Sequence, residues 1–153
     1  MPSRPNLFAR FLALSAPERR TLLAALALLP VFRLALHRRG LQRLQARLHR
    51  PVPKGAAQPP LAELQRTGML VNAASNRVLG PDNCLVRSLY LWWLLRRRGV
   101  ACELRIGVKK KGGALAAHAW VEHAGVPVND SSDVGERFGA FDDAVSPSRF
   151  LTR

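Results

Sequence analysis

The sequence predicts an α+β chain, helices first and a small antiparallel sheet after them. Three observations carry this reading. Apolar residues recur at helical spacing up to Leu95, they alternate at strand spacing from Cys102 onward, and a proline-rich stretch at 51–60 separates a basic front region from the rest. The 153 residues suit one hydrophobic core, and 48% hydrophobic with 22% charged residues excludes a disordered, collagen-like or disulfide-scaffold chain.

The first helix starts at a capping box, Ser15-Ala-Pro-Glu18, with Ser15 as N-cap and Pro17 tolerated in the first turn. Leu22, Leu23, Leu26 and Leu29 carry it to Pro30, which is expected to kink or end it. Beyond lies a basic amphipathic stretch, with Phe32, Leu36, Leu41, Leu44 and Leu48 set among arginines. The apolar run Leu22 to Leu36 falls short of the roughly 20 residues of a membrane span, so a packed or interfacial helix is expected. The expected organisation is a helical region at 1–50, a linker at 51–60 and a second unit at 61–153. That unit opens with a helix from about Leu61, with Leu64 and then Met69 and Leu70 facing inward.

After the turn chemistry of Gly80-Pro-Asp-Asn83, a strongly apolar helix runs from Cys84 to Arg96-Arg-Arg-Gly99, cations and a glycine at its negative end. Strands follow at Cys102 to Lys109, Ala116 to Glu122 and Val126 to Asp130.

Charge is uneven along this order. The formal net charge is +14, of which residues 1–50 hold ten arginines and one acid, Glu18, whereas residues 101–153 hold seven charges of each sign. The front calls for an acidic partner: a protein or peptide, an anionic membrane or nucleic acid. Nucleic acid is the least favoured, because no helix-turn-helix or aromatic stacking motif accompanies the arginines. The two cysteines, Cys84 and Cys102, and the lack of a recognisable secretory signal point to a reducing cytoplasm, with peripheral membrane contact as an open addition.

Cys84 begins its helix behind Asp82 and Asn83, either of which could cap it. Unpaired N–H groups there favour thiolate and can hold an oxyanion. His118 lies among small alanines on the second strand. A three-residue loop, His123-Ala-Gly125, would set His118 opposite Asp130, while a two-residue loop would set it opposite Ser131. The first register is expected, giving nucleophile, base and orienting acid in Cys84, His118 and Asp130. Glu122 is the alternative acid, and Trp120 can shield the site. Each residue also has a plain structural reading: core thiol, satisfied histidine, turn cap. A zinc site from Cys84, Cys102, His118 and His123 lacks a Cys-x-x-Cys knuckle, and Lys109-Lys-Lys-Gly-Gly113 lacks phosphate-loop spacing. No cofactor or metal is therefore expected. Cys102 reads as core, and His37, His49, Asp133, Asp142 and Asp143 as surface residues.

The string Asn83-Cys-Leu-Val-Arg-Ser-Leu-Tyr-Leu-Trp-Trp-Leu-Leu-Arg-Arg-Arg-Gly-Val100, followed by Leu104-Arg-Ile-Gly-Val108, Ala117-His-Ala-Trp-Val-Glu122 and Gly125-Val-Pro-Val-Asn-Asp130, resembles the transglutaminase-like B proteins of lasso-peptide biosynthesis. The resemblance is best over residues 61–130. It implies a papain-like or transglutaminase-like cysteine protease core that removes the leader from a ribosomally made precursor, with Cys84 as nucleophile, His118 as base and Asp130 as orienting acid. Residues 1–60 lack the alternating strands of a fused leader-binding domain. The chain therefore resembles the split form, which implies the precursor, a separate leader-recognition protein and the ATP-dependent cyclase as partners.

Overall fold

The computed structural model describes residues 7–140. Five helices, α1 (Leu7–Leu12), α2 (Ala16–Arg39), α3 (Leu41–Leu48), α4 (Leu61–Val78) and α5 (Cys84–Arg97), precede a four-stranded antiparallel sheet of β1 (Glu103–Lys111), β2 (Ala114–His123), β3 (Val126–Pro127) and β4 (Gly139–Ala140). A single-turn helix, α6 (Val134–Arg137), lies before β4, and the sheet order is β3-β2-β1-β4.

The capping box forms as its spacing requires. The Glu18 N–H donates to Ser15 Oγ at 3.4 Å, and the Ser15 N–H donates to the Glu18 carboxylate at 2.8 Å. Glu18 also takes Arg66 of α4 at 2.6 Å. That guanidinium first, and Ser15 second, hold its carboxyl down to about 2.

Pro30 does not end α2, one of the two outcomes expected of it from the sequence. The helix runs on to Arg39, where Gly40 at φ 74° closes it with an N–H bond to the Leu36 carbonyl. Pro30 lies on the exposed side, while Ala25, Leu29 and Phe32 are buried against α4 and α5, so packing on both sides of the proline sustains the helix. At 24 residues, α2 is long and apolar enough to cross a membrane by length and composition, which the 15-residue count from sequence had denied it.

The front helices share one hydrophobic core with the rest. Ala25, Leu29, Phe32 and Leu44 belong to the same buried cluster as Val71 of α4, Leu89 and Tyr90 of α5 and Val121 of β2. The stretch 51–60 is strapped over the end of α5: Gln58 donates to the Gly99 carbonyl and accepts from the Ala101 N–H, and Arg96 grips the Arg50 carbonyl. In α4, Leu64, Leu70 and Val71 turn inward, but Met69 is 61% exposed, since it falls off the stripe that Leu64 and Val71 define. Helix α5 ends as its composition implies, with Gly99 at φ 81° and the Val100 N–H on the Leu95 carbonyl.

The hairpin after β2 departs from the expected register. Glu122 pairs with Pro127 and His123 with Val126, so the loop is two residues, Ala124 and Gly125, both at positive φ (49° and 78°) as a type I′ turn requires. The third strand stops at Pro127 rather than reaching Asp130. The Val128 N–H still bonds to the Val121 carbonyl, but the returning Val121 N–H is taken by the Asn129 side chain at 2.8 Å instead of a main-chain carbonyl. The chain leaves the ladder there. Helix α4 approaches this departure closely: a Cβ on Gly68 would lie 2.5 Å from the Val128 oxygen.

Candidate active site

Cys84 is the first residue of α5 and is half-buried. Asn83 occupies the N-cap position without capping. Its side-chain amide donates back to the Leu79 carbonyl at 2.6 Å, and among the described residues no side chain takes the first-turn N–H groups of α5. Those donors and the positive end of the helix dipole therefore face the surroundings of the thiol.

The opposite wall is β2. Across the ladder Ala119 faces Ile106, and its carbonyl turns away to accept from the Ser88 hydroxyl of α5 at 2.9 Å. The Ala119 N–H and the His118 ring both act on the Cys84 thiol. The hydrogen bond from His118 lowers the Cys84 thiol below its ordinary value against the upward push of burial, and the Ala119 N–H, the imidazolium charge and Arg87 add to the lowering. The same contact, followed by that with Asp130, raises the His118 imidazole above its ordinary value in spite of burial.

His118 Nε2 lies 2.6 Å from Asp130 Oδ2, which leaves the other ring nitrogen for the thiol. Asp130 arrives by a route that the sequence reading did not foresee. The two-residue loop would set Ser131 opposite His118, but the Asn129 detour breaks that count and returns Asp130 to the histidine. The other Asp130 oxygen accepts from the Ser131 N–H at 2.8 Å and from Arg137 of α6 at 3.2 Å. Burial pushes the Asp130 carboxyl up, and the bonds from His118 and Ser131 with the charge of Arg137 outweigh it, leaving the group below its ordinary value.

The imidazole is also held by rings. Phe138 stacks on it at 4.8 Å and Trp120 lies alongside at 6.1 Å. Space for both rings comes from Gly107, the cross-strand neighbour of His118. A Cβ there would lie 2.9 Å from Phe138 and 3.0 Å from Trp120.

Three supporting groups were missed from the sequence. Asn129 is buried and ties β2 to α5 through Ser88, while its carbonyl accepts from Asn72 of α4. Arg137 steadies Asp130 and pairs with Asp133, and Phe138 covers His118. The spacing of Asp133 and Arg137, four residues apart, was the available signal for α6. Glu122, the alternative acid, is committed elsewhere: it accepts from the Trp120 indole at 2.8 Å and from Arg105 at 3.0 Å.

The imagined zinc quartet is not assembled. The Cys102 thiol is buried against the Trp92 carbonyl, and His123 bonds to the Ala101 carbonyl. Among the described residues no group of three metal-ligating side chains comes together. Asp142 and Asp143 lie outside the described residues.

Half-buried cysteine at a helix start, histidine on the facing strand and aspartate behind it form an arrangement suited to nucleophilic attack on an acyl carbon. No curated protein and no solved structure matches the chain. A family model described as the transglutaminase-like superfamily matches residues 25–141, a span that includes α2 from Ala25 onward as well as Cys84, His118 and Asp130. On that match, with which the resemblance to lasso-peptide B proteins is consistent, the chain belongs to the transglutaminase-like superfamily.

Proposed function

We propose that the chain is a cysteine peptidase that removes the leader from a ribosomally made lasso-peptide precursor. The observation that carries this reading is the 2.6 Å contact of His118 with Asp130 on one side of an imidazole whose other partner is the Cys84 thiol. In the proposed reaction the Cys84 thiolate attacks the scissile carbonyl, and the oxyanion is held by the uncapped first-turn N–H groups of α5. His118 gives its proton to the leaving amine as the C–N bond breaks. Water, deprotonated by His118, then attacks the thioester, releasing the carboxylate and restoring the thiol. Asp130 keeps the imidazole oriented and stabilises its cation.

The expected partners are the precursor, a separate leader-recognition protein and the cyclase that consumes the freed core peptide. The proposed setting is the cytoplasm, where both cysteines are free. Contact of α2 with an anionic membrane surface is a second reading, favoured by the exposure of Leu23 (53%) and Val31 (56%) on an arginine-flanked helix. Precursor incubated with the recognition protein and this chain should yield leader and core by mass spectrometry, and Cys84→Ala should yield neither. Cleavage that survives Cys84→Ala or His118→Ala defeats the peptidase reading. Vesicle binding, by contrast, should survive Cys84→Ala and fall with added salt.

A further inference from the structure

An open groove of about 590 Å³ runs between the C-terminal half of α2 and the start of α5. Leu34, Leu36 and Val86 give it an apolar wall, Arg33 and His37 line it from α2, and it reaches Asn83, the residue before Cys84. Among the described residues no acidic side chain lines it. Arg33 is exposed and makes no ion pair among the described residues. Glu18, the one acid in the first fifty residues, is taken by Ser15 and Arg66. Among the described residues the groove thus offers an unneutralised guanidinium beside an apolar wall, and it reaches the residue before the proposed nucleophile.

We propose that this groove seats the substrate peptide through an acidic side chain next to an apolar one, with Arg33 taking the carboxylate and Leu34, Leu36 and Val86 the apolar neighbour. The inference rests on the peptidase reading of Cys84. The planar fork of arginine suits a carboxylate, and His37 supplies a second donor on the same helix face. Arg33 is a specificity residue: it acts on binding, and its loss raises KM with little change in kcat.

The test uses the full chain and short synthetic peptides that carry Glu, Gln or Lys beside Leu. Retention on the Cys84→Ala protein is read by mass spectrometry, and cleavage is read in parallel with Cys84 intact. Glu peptides should be retained about tenfold over Gln peptides. Arg33→Gln should erase that preference and Arg33→Glu should turn it toward Lys. Equal retention of Glu and Gln peptides, retention of none, or a preference that survives Arg33→Gln overturns the proposal. Self-association of the chain that Arg33→Glu abolishes overturns it too, by giving the groove to a second copy. Selective retention, when precursor incubated with the recognition protein is not cleaved either, leaves the groove as a peptide seat and removes the peptidase reading instead.

Discussion

The two cysteines occupy opposite chemical surroundings. Cys84 is half-buried at a helix start, bonded to His118 and the Ala119 N–H, and its thiol is held below the ordinary value. Cys102 is 4% exposed, its sulfur against the Trp92 carbonyl, and burial pushes it up to about 12. Helix α5 sets up both environments, because its first turn meets the open edge of β2 while Trp92, farther along, covers Cys102. Thiol chemistry is thus decided by neighbours and solvent rather than by residue type.

The largest expected effect is the removal of one thiol against the other. Cys84→Ala should lower the rate of precursor cleavage by about 10⁵-fold or more. Cys102→Ala should leave kcat/KM within about twofold and cost about 1 kcal/mol of stability, as a small core truncation does. Similar losses of activity from both substitutions, measured by mass spectrometry of products, would erase the distinction. Asp130→Asn comes next. It keeps the shape of the side chain but weakens its hold on the imidazole cation, so kcat should fall about 10²–10⁴-fold while thermal stability changes little.

Phe138→Ala sharpens the comparison from the other face of the imidazole. Phe138 touches neither thiol nor substrate in the proposed reaction and acts by holding His118. Its loss should lower kcat about tenfold, leave KM unchanged and broaden the pH dependence of Cys84 alkylation. The smallest effect belongs to the β2–β3 turn. Ala124 sits at φ 49°, where a side chain costs about 1 kcal/mol, so Ala124→Gly should stabilise the chain by up to about that amount without touching cleavage. Denaturant unfolding checks it.

That turn also marks how far the chain could be read before its structure was known. The Ser15–Glu18 cap, the β1–β2 alternation and the glycine end of α5 depend on neighbours in sequence and are legible there. The contact of His118 with Asp130 was likewise anticipated, but the strand register offered for it was not the observed one. An alanine at positive φ gives no turn signal of its own, and a side-chain amide that replaces a ladder carbonyl is invisible to period-two counting. Arg137 and Phe138 were missed because a single helical turn has no periodicity to read. Pro30 does not end α2 because the packing of Leu29 and Phe32, a tertiary effect, outweighs the local helix-breaking tendency of proline.

Alkylation of the two cysteines by iodoacetamide across pH, located by peptide mass spectrometry, tests the central claim without any substrate. A thiol whose value is lowered stays reactive below the ordinary 9.0 and loses reactivity only as pH falls through its own lowered value. The account predicts that Cys84 is modified well below pH 9 in the native chain and that His118→Ala moves this profile upward, while Cys102 stays unmodified until the chain unfolds. A Cys84 profile that titrates as an ordinary thiol, or that is the same with and without His118, would contradict it.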